Sequence, residues 1–261
     1  MIRQSILVAS AVSILAALAA SGAPAADAPD AIAAAVANPL RPPADIQRDA
    51  SRMPAETLAF AGVKPGDRIG ELLPGGGYFT RLFSLVVGPR GHVYAWVPER
   101  PANAPADMPD FAARVKAIAA EKAYANVSVL VQPISKLSFP GPLDLVWTSQ
   151  NYHDFHNIPG ADIAALNRQI FAALKPGGIY LVLDHAAAPG SGARDTSTLH
   201  RIDPETVKSE VLAAGFVLAG SSDLLHRPAD THALKVMDPS IRGNTDQFIL
   251  KFRKPTTIKS Y

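Results

Sequence analysis

The sequence predicts an α/β domain on a mostly parallel sheet, and three observations predict it. Short apolar runs alternate along the chain with longer segments whose apolar residues follow helical spacing. Strands separated by helices in this way pair in parallel through right-handed crossovers. A glycine-rich turn, Pro74-Gly75-Gly76-Gly77, sits where the first run gives way to an amphipathic segment. The chain also has the size and composition of one such domain, with 261 residues, 48% hydrophobic and 18% charged.

The N-terminus reads as an export address. Arg3 supplies a positive charge, Ile6 to Ala20 is unbroken apolar and small, and Ala23-Pro24-Ala25 offers small residues for cleavage. This three-part pattern is a secretory signal peptide over residues 1–25. Its run of 15 residues is short for a membrane span, which needs about 20, so no stable span is expected after cleavage. The expected location is exported, and periplasmic if the source is Gram-negative. Residues 26–43, rich in Ala and Pro, read as a flexible leader. Residues 44–255 read as the folded domain and 256–261 as a tail.

Within the domain, Ala44 to Ala61 reads as helix, with Asp45 as its cap and Pro54 dividing it. Strands are expected at Arg68–Leu73, His92–Val97, Val127–Val131, Leu143–Thr148 and Ile179–Asp184. Helices fill the gaps at Phe79–Val87, Pro109–Tyr124 and Ala161–Leu174. The last carries Ile163, Leu166, Ile170, Phe171 and Leu174 on one face. Lys175-Pro176-Gly177-Gly178 stops it and turns into the next strand. Asp203-Pro204 opens a further helix that Gly215 ends. Phe216–Ser222 and Gln247–Arg253 read as a closing pair of strands joined by a long polar loop. The Pro- and Ala-rich stretch Pro98–Met108 reads as surface loop.

Composition excludes several classes. A formal net charge of +2 argues against a nucleic-acid partner, and Lys251, Arg253, Lys254 and Lys259 read as a solvated tail. The absence of cysteine excludes disulfides, thiolate metal ligands and a lipid-modified N-terminal cysteine. Nothing in the sequence sets an oligomeric state.

Four stretches carry a family resemblance. They are Leu72-Leu73-Pro74-Gly75-Gly76-Gly77-Tyr78-Phe79-Thr80, Asn151-Tyr152-His153-Asp154-Phe155-His156-Asn157, Leu174-Lys175-Pro176-Gly177-Gly178 and Asp246-Gln247-Phe248-Ile249-Leu250. Over about residues 44–255 the chain resembles class I S-adenosylmethionine (SAM)-dependent methyltransferases. It looks closest to exported, signal-peptide-bearing bacterial methyltransferase-like proteins. The resemblance implies a Rossmann-like three-layer sandwich whose mostly parallel seven-stranded sheet has an antiparallel last strand. It also implies a glycine loop that admits SAM close to the backbone. Glu71, Pro74, Gly75, Gly76, Gly77, Tyr78 and Asn151 become cofactor contacts, with Glu71 facing the amino group of the methionine part. The chain departs from the family pattern at three positions. Leu73 stands where the first glycine is usual. Val97 stands where an acid usually holds the ribose, leaving Glu99 as the candidate. Gln132-Pro133 stands where an acid usually lies near the adenine. A retained fold with weak or no SAM binding is the competing reading.

In this fold, Asn151–Asn157 and Asp184-His185 lie at the ligand edge, and His200-Arg201 could close over it. Four of the seven histidines, His153, His156, His185 and His200, would meet there. Three readings stay open. His153 or His185 serves as a general base oriented by Asp154 or Asp184, with Tyr152, His156, Asp184 and His200 holding a small-molecule acceptor. Alternatively His153, His156 and His185 offer ligands for a divalent metal. The third reading is that these side chains only satisfy local backbone groups. Arg48, Asp49 and Arg52 form either a lid over the ligand or a surface salt-bridge network. Trp96 and Trp147, with Tyr94, read as core.

Overall fold

The computed structural model describes residues 27–101, 104–105 and 107–257. The expected signal peptide and the end of the tail lie outside the described residues. Seven strands form one sheet: β1 (Arg68–Leu72), β2 (His92–Pro98), β3 (Val127–Gln132), β4 (Leu143–Ser149), β5 (Leu174–His185), β6 (Val217–Ser222) and β7 (Gln247–Arg253). Their order is β3-β2-β1-β4-β5-β7-β6. Strands β1 to β5 pair in parallel, while β7 inserts antiparallel between β5 and β6. This is the mostly parallel, Rossmann-like sheet that the sequence predicts.

Helices cover both faces. They are α1 (Ala28–Val36), α2 (Pro43–Ile46), α3 (Asp49–Arg52), α4 (Pro54–Ala61), α5 (Tyr78–Val87), α6 (Ala113–Ala119), α7 (Tyr152–Phe155), α8 (Ile163–Ala173) and α9 (Pro204–Ala213). Two apolar cores result. One gathers Leu58, Phe79, Phe83 and Trp147. The other gathers Tyr94, Trp96, Tyr152, Phe155 and Phe252. Sheet polarity puts the carboxyl ends of β1, β2, β4 and β5 along one edge, where α/β sheets bind ligands.

Several expectations need correction. Residues 28–36 are not a loose leader but helix α1, whose Ile32 and Ala35 are buried in the first core. Alanine is the best helix former, and proline in the first turn costs no hydrogen bond, so a linker-like composition hides a helix. Asp45 caps nothing; it lies inside α2 and pairs with Arg81 at 3.0 Å. The expected helix at 109–124 is shorter, with α6 followed by a 3-10 turn at Lys122–Tyr124. The turn at Lys175–Gly178 falls inside β5. Leu174 pairs with Leu143 and Ile179 with Leu145, so the intervening residues bulge out. Lys251 and Lys254 are not a solvated tail. They donate to Phe60 O at 2.9 Å and to Leu174 O at 2.7 Å.

The polar loop between β6 and β7 is tied down by carboxylates. Arg201 is fully buried and pairs with Asp230 at 2.8 Å. It also donates to Ala186 O at 2.9 Å and Leu234 O at 3.0 Å. Asp246 accepts from Arg227 N at 2.7 Å and pairs with the His226 and His232 rings, each at 2.9 Å.

Candidate functional site

The site begins where β1 ends. Leu73, Gly75 and Gly77 all take left-handed backbone angles, with φ of 49°, 58° and 77°. Gly75 and Gly76 face open space, and nothing would meet a Cβ added there within 4 Å. Gly77 is different: an added Cβ would lie 2.0 Å from Ile118 Cδ1. The loop is thus open above and packed below. Leu73, at the missing first glycine, keeps the left-handed shape at a strain cost of about 1–2 kcal/mol.

A cavity of about 810 Å³ opens over this loop. Its wall includes Glu71, Pro74, Gly75, Gly76, Tyr78 and Asn151, all expected as cofactor contacts. Glu71 is 3% exposed and accepts a hydrogen bond from Thr80 Oγ1 at 2.5 Å. Burial raises its pKa to about 7, against the opposing pull of Thr80 and Arg52. Asn151 donates to Leu73 O at 2.9 Å and Leu72 O at 3.2 Å, and accepts from Thr148. It therefore locks the end of β1 to the start of α7.

Helix α3 and the residue before it supply another part of the wall, through Arg52 and Arg48. Arg52 donates to Gln150 Oε1 at 2.5 Å and lies 4.7 Å from the Tyr78 ring centroid. Burial lowers its pKa to about 10, and no described carboxylate lies in salt-bridge contact with it. Arg48 also lines the cavity, 5.3 Å from the same ring. Asp49 does not face the cavity; it accepts from Arg41 at 2.5 Å and from Tyr78 Oη at 2.6 Å. The Arg48–Arg52 segment thus combines both readings of the sequence: Asp49 builds an ion-pair network and the two arginines wall the cavity.

Beside the cavity lies a histidine cluster. His153 Nδ1 is 2.9 Å from Asp184 Oδ1, and Asp184 also accepts from the backbone of His153 and His185, each at 2.8 Å. His153 Nε2 is 3.2 Å from Asp154 Oδ1 and 3.3 Å from His200 Nδ1. Burial opposes charge on His153, but Asp184 and Asp154 outweigh it and raise its pKa to about 10. His153 does not form part of the cavity wall, and both of its ring nitrogens already have partners, so it stands behind Asp154 and not against a ligand held in the cavity. His185 also stands off the wall. It is buried, lies 2.9 Å from Thr245 Oγ1, and burial lowers its pKa to about 4.

Other expected residues stand off the cavity. Tyr152 is fully buried and donates to Glu210 Oε2 at 2.8 Å on α9. His156 approaches the same carboxylate at 3.3 Å. Neither forms part of the cavity wall, and His156 does not join His153 as a metal ligand. Asp184 is fully buried behind His153. Glu99 is exposed and lies outside the wall, where Val97 and Pro98 stand instead. Asp154 does line the cavity, as do Gln150 and Asn157. Asp110, Phe111 and Arg114 also line the cavity, and no motif in the sequence marks them; Phe111 is a large apolar side chain left 59% exposed there. Of the non-glycine residues with positive φ, Leu73 and Gln150 line the cavity, Met53 adjoins Arg52 and His200 belongs to the histidine cluster, while His232 lies in the β6–β7 loop; strain of this kind often gathers at functional sites.

Comparison with known proteins identifies the fold. No family model and no curated protein matches the chain. Solved structures do match. A SAM-dependent methyltransferase from Aquifex aeolicus is 16% identical over 87% of this chain and 98% of its own, with a TM-score of 0.53. The [4+2]-cyclase SpnF is 20% identical over 82% of each chain, with a TM-score of 0.56. The glycopeptide N-methyltransferase MtfA, solved with SAM, is 16% identical over 77% of this chain and 86% of its own, with a TM-score of 0.51. The chain therefore has the Rossmann-like fold of class I methyltransferases. At such identities the likeness speaks for the fold alone.

Proposed function

We propose that the chain is an exported, SAM-dependent methyltransferase-like enzyme acting on a small-molecule or envelope acceptor. One observation carries the reading. A single cavity joins an open glycine loop to a buried carboxylate, Glu71, and a half-buried guanidinium, Arg52, that has no carboxylate partner among the described residues. Such a pair suits the two charged ends of an amino acid. Glu71 would accept from the ammonium of the methionine part, and Arg52 would donate to its carboxylate. Gly75 and Gly76 leave the room such a ligand needs. MtfA, of the same fold, was solved with SAM.

Bound SAM would supply an electrophilic methyl group on a sulfonium. The protein's part is alignment of the acceptor and removal of its proton where needed. Besides Asn151, Asp154 and Asn157 are polar residues of the α7 side in the cavity wall, and the Asn157 amide is engaged by Thr196. Asp154 would hold the acceptor, with His153 and Asp184 behind it as positioning residues.

A second reading has its own observation. With Glu99 outside the wall and Val97 and Pro98 in it, the fit is good for the methionine end and poor for a ribose. SpnF, whose fold is similar, is a [4+2]-cyclase, so other chemistry is compatible with this scaffold. A binding protein or enzyme that takes a different amino-acid-like ligand fits that wall. Calorimetric titration with SAM and S-adenosylhomocysteine separates the two. Micromolar binding that weakens in Glu71→Gln and Gly75→Val supports the methyltransferase reading. No heat at millimolar ligand sinks it.

A further inference from the structure

Away from the glycine loop, three side chains turn potential ligand atoms toward one point. His153 Nε2, His200 Nδ1 and Asp154 Oδ1 are separated by 3.2, 3.3 and 3.6 Å. A tetrahedral ion with bonds of 2.0–2.2 Å holds its ligand atoms about 3.4 Å apart. The triangle therefore matches one face of a tetrahedral site before any ion arrives. We propose that His153, Asp154 and His200 form a binding site for a divalent transition-metal ion, zinc foremost.

Three further observations support it. First, Asp184 fixes the His153 ring through Nδ1 at 2.9 Å, which directs Nε2 outward. A carboxylate behind a ligating imidazole is the usual support of such a ligand. Asp184 is itself held by two backbone N–H groups, so it is rigid. Second, Asp154 has no lysine or arginine partner among the described residues; its ion-pair contacts are the two imidazoles. A divalent ion would meet two carboxylates, one in contact and one behind, which balances its charge. Third, His200 takes φ of 56°, an unfavourable angle for histidine that brings Nδ1 within 3.3 Å of His153 Nε2.

The donor chemistry narrows the ion. Two imidazoles and one carboxylate suit zinc or ferrous iron and disfavour magnesium and calcium, which prefer oxygen alone. The site is also accessible. The His200 and Asp154 side chains are 32% and 42% exposed, and Asp154 lines the cavity. With three protein ligands the fourth position is open to a water or an oxygen of the acceptor. His156 and His185 are not in the set, because one is paired to Glu210 and the other to Thr245.

The test needs no SAM, so it is independent of the methyltransferase reading. The full chain is stripped with chelator, then titrated with zinc by calorimetry and with cobalt by visible absorption. One ion per chain and the intense visible bands of four-coordinate cobalt are expected. Asp184→Asn should weaken zinc by about 10–100-fold, and His200→Ala and Asp154→Asn by at least as much. His156→Ala should leave it unchanged. His153→Ala removes a buried side chain and can unfold the protein, so the two part-exposed ligands carry the test. Failure to bind zinc stoichiometrically, or binding that survives both His200→Ala and Asp154→Asn, overturns the proposal.

Discussion

Replacing Glu71 by glutamine should make the ligand-free protein more stable at neutral pH, not less. Glu71 is buried, and burial raises its pKa from 4.5 to about 7. The folded state therefore binds its proton more tightly than the unfolded state. Such a group contributes stability below pH 4.5, and that contribution is lost as pH rises through 7. The shift of about 2.5 pH units corresponds to about 3 kcal/mol at pH 7 and above. At pH 5 only about 1 kcal/mol of that cost is felt. Glutamine keeps a carbonyl oxygen for Thr80 Oγ1, which sits 2.5 Å from the carboxylate, and carries no charge to desolvate. Urea unfolding of the wild type and Glu71→Gln, without ligand, at pH 5, 6, 7 and 8 is the assay. The variant's advantage should grow from pH 5 to pH 8 by about 2 kcal/mol, and it should bind SAM more weakly. Parallel stability curves would falsify the claim that Glu71 carries an uncompensated buried charge.

Other outcomes follow from the same geometry. SAM affinity should fall about tenfold from pH 8 to pH 6 as Glu71 takes up a proton, and calorimetry should find this dependence absent in Glu71→Gln. Arg52→Gln should weaken SAM by about 10–100-fold, the worth of a charge-assisted hydrogen bond; an analogue lacking the carboxylate should lose nothing, and equal losses for both would refute the carboxylate role. Gly77→Ala should cost at least about 1–2 kcal/mol, because its Cβ meets Ile118 and its φ is 77°. Gly76→Ala faces open space and should stay within about 0.5 kcal/mol; denaturant midpoints of the two variants check the contrast. Asp230→Ala, which strands the buried Arg201 charge, should destabilise by about 3–5 kcal/mol, readable as a lowered unfolding midpoint.

The sheet was legible because its signal is local. Apolar runs such as Val93–Val97 and Leu143–Trp147 name their own strands, and Gly77 or Asp203 marks where a helix begins. Helix α1 was illegible because alanine and proline spell both linker and helix, and only burial of Ile32 and Ala35 decides. The glycine loop was legible as a place and misleading as a pattern. Leu73 looked like a loss, yet its backbone keeps the left-handed turn, and φ is not written in the residue type. The histidine cluster shows the sharpest limit. The sequence offered His153 and His156 together as candidate metal ligands. The structure instead sets Tyr152 and His156, four residues apart, on one face toward Glu210. It turns His153 toward Asp184. Within one turn of helix, about 100° per residue decides which partner a side chain meets, and no local signal fixes that rotation. His200 was expected to close over the edge, but its pairing with Asp154 depends on the 186–203 segment.

The stretch between β6 and β7 looks like easy prey for a protease, being polar and nearly free of regular structure. Its backbone is nevertheless fastened to the centre of the molecule by Asp230 and Leu234 O, which both engage Arg201, while Asp246 ties the loop's own His226 and His232 together. Local fraying there would have to expose a guanidinium that is otherwise sealed from water, so opening the loop resembles opening the whole domain. Nicking by trypsin at Arg227 or Lys235 should therefore keep pace with global unfolding and report it. That fastening turns the irregular segment between β6 and β7 from a weak point into a gauge of the entire fold.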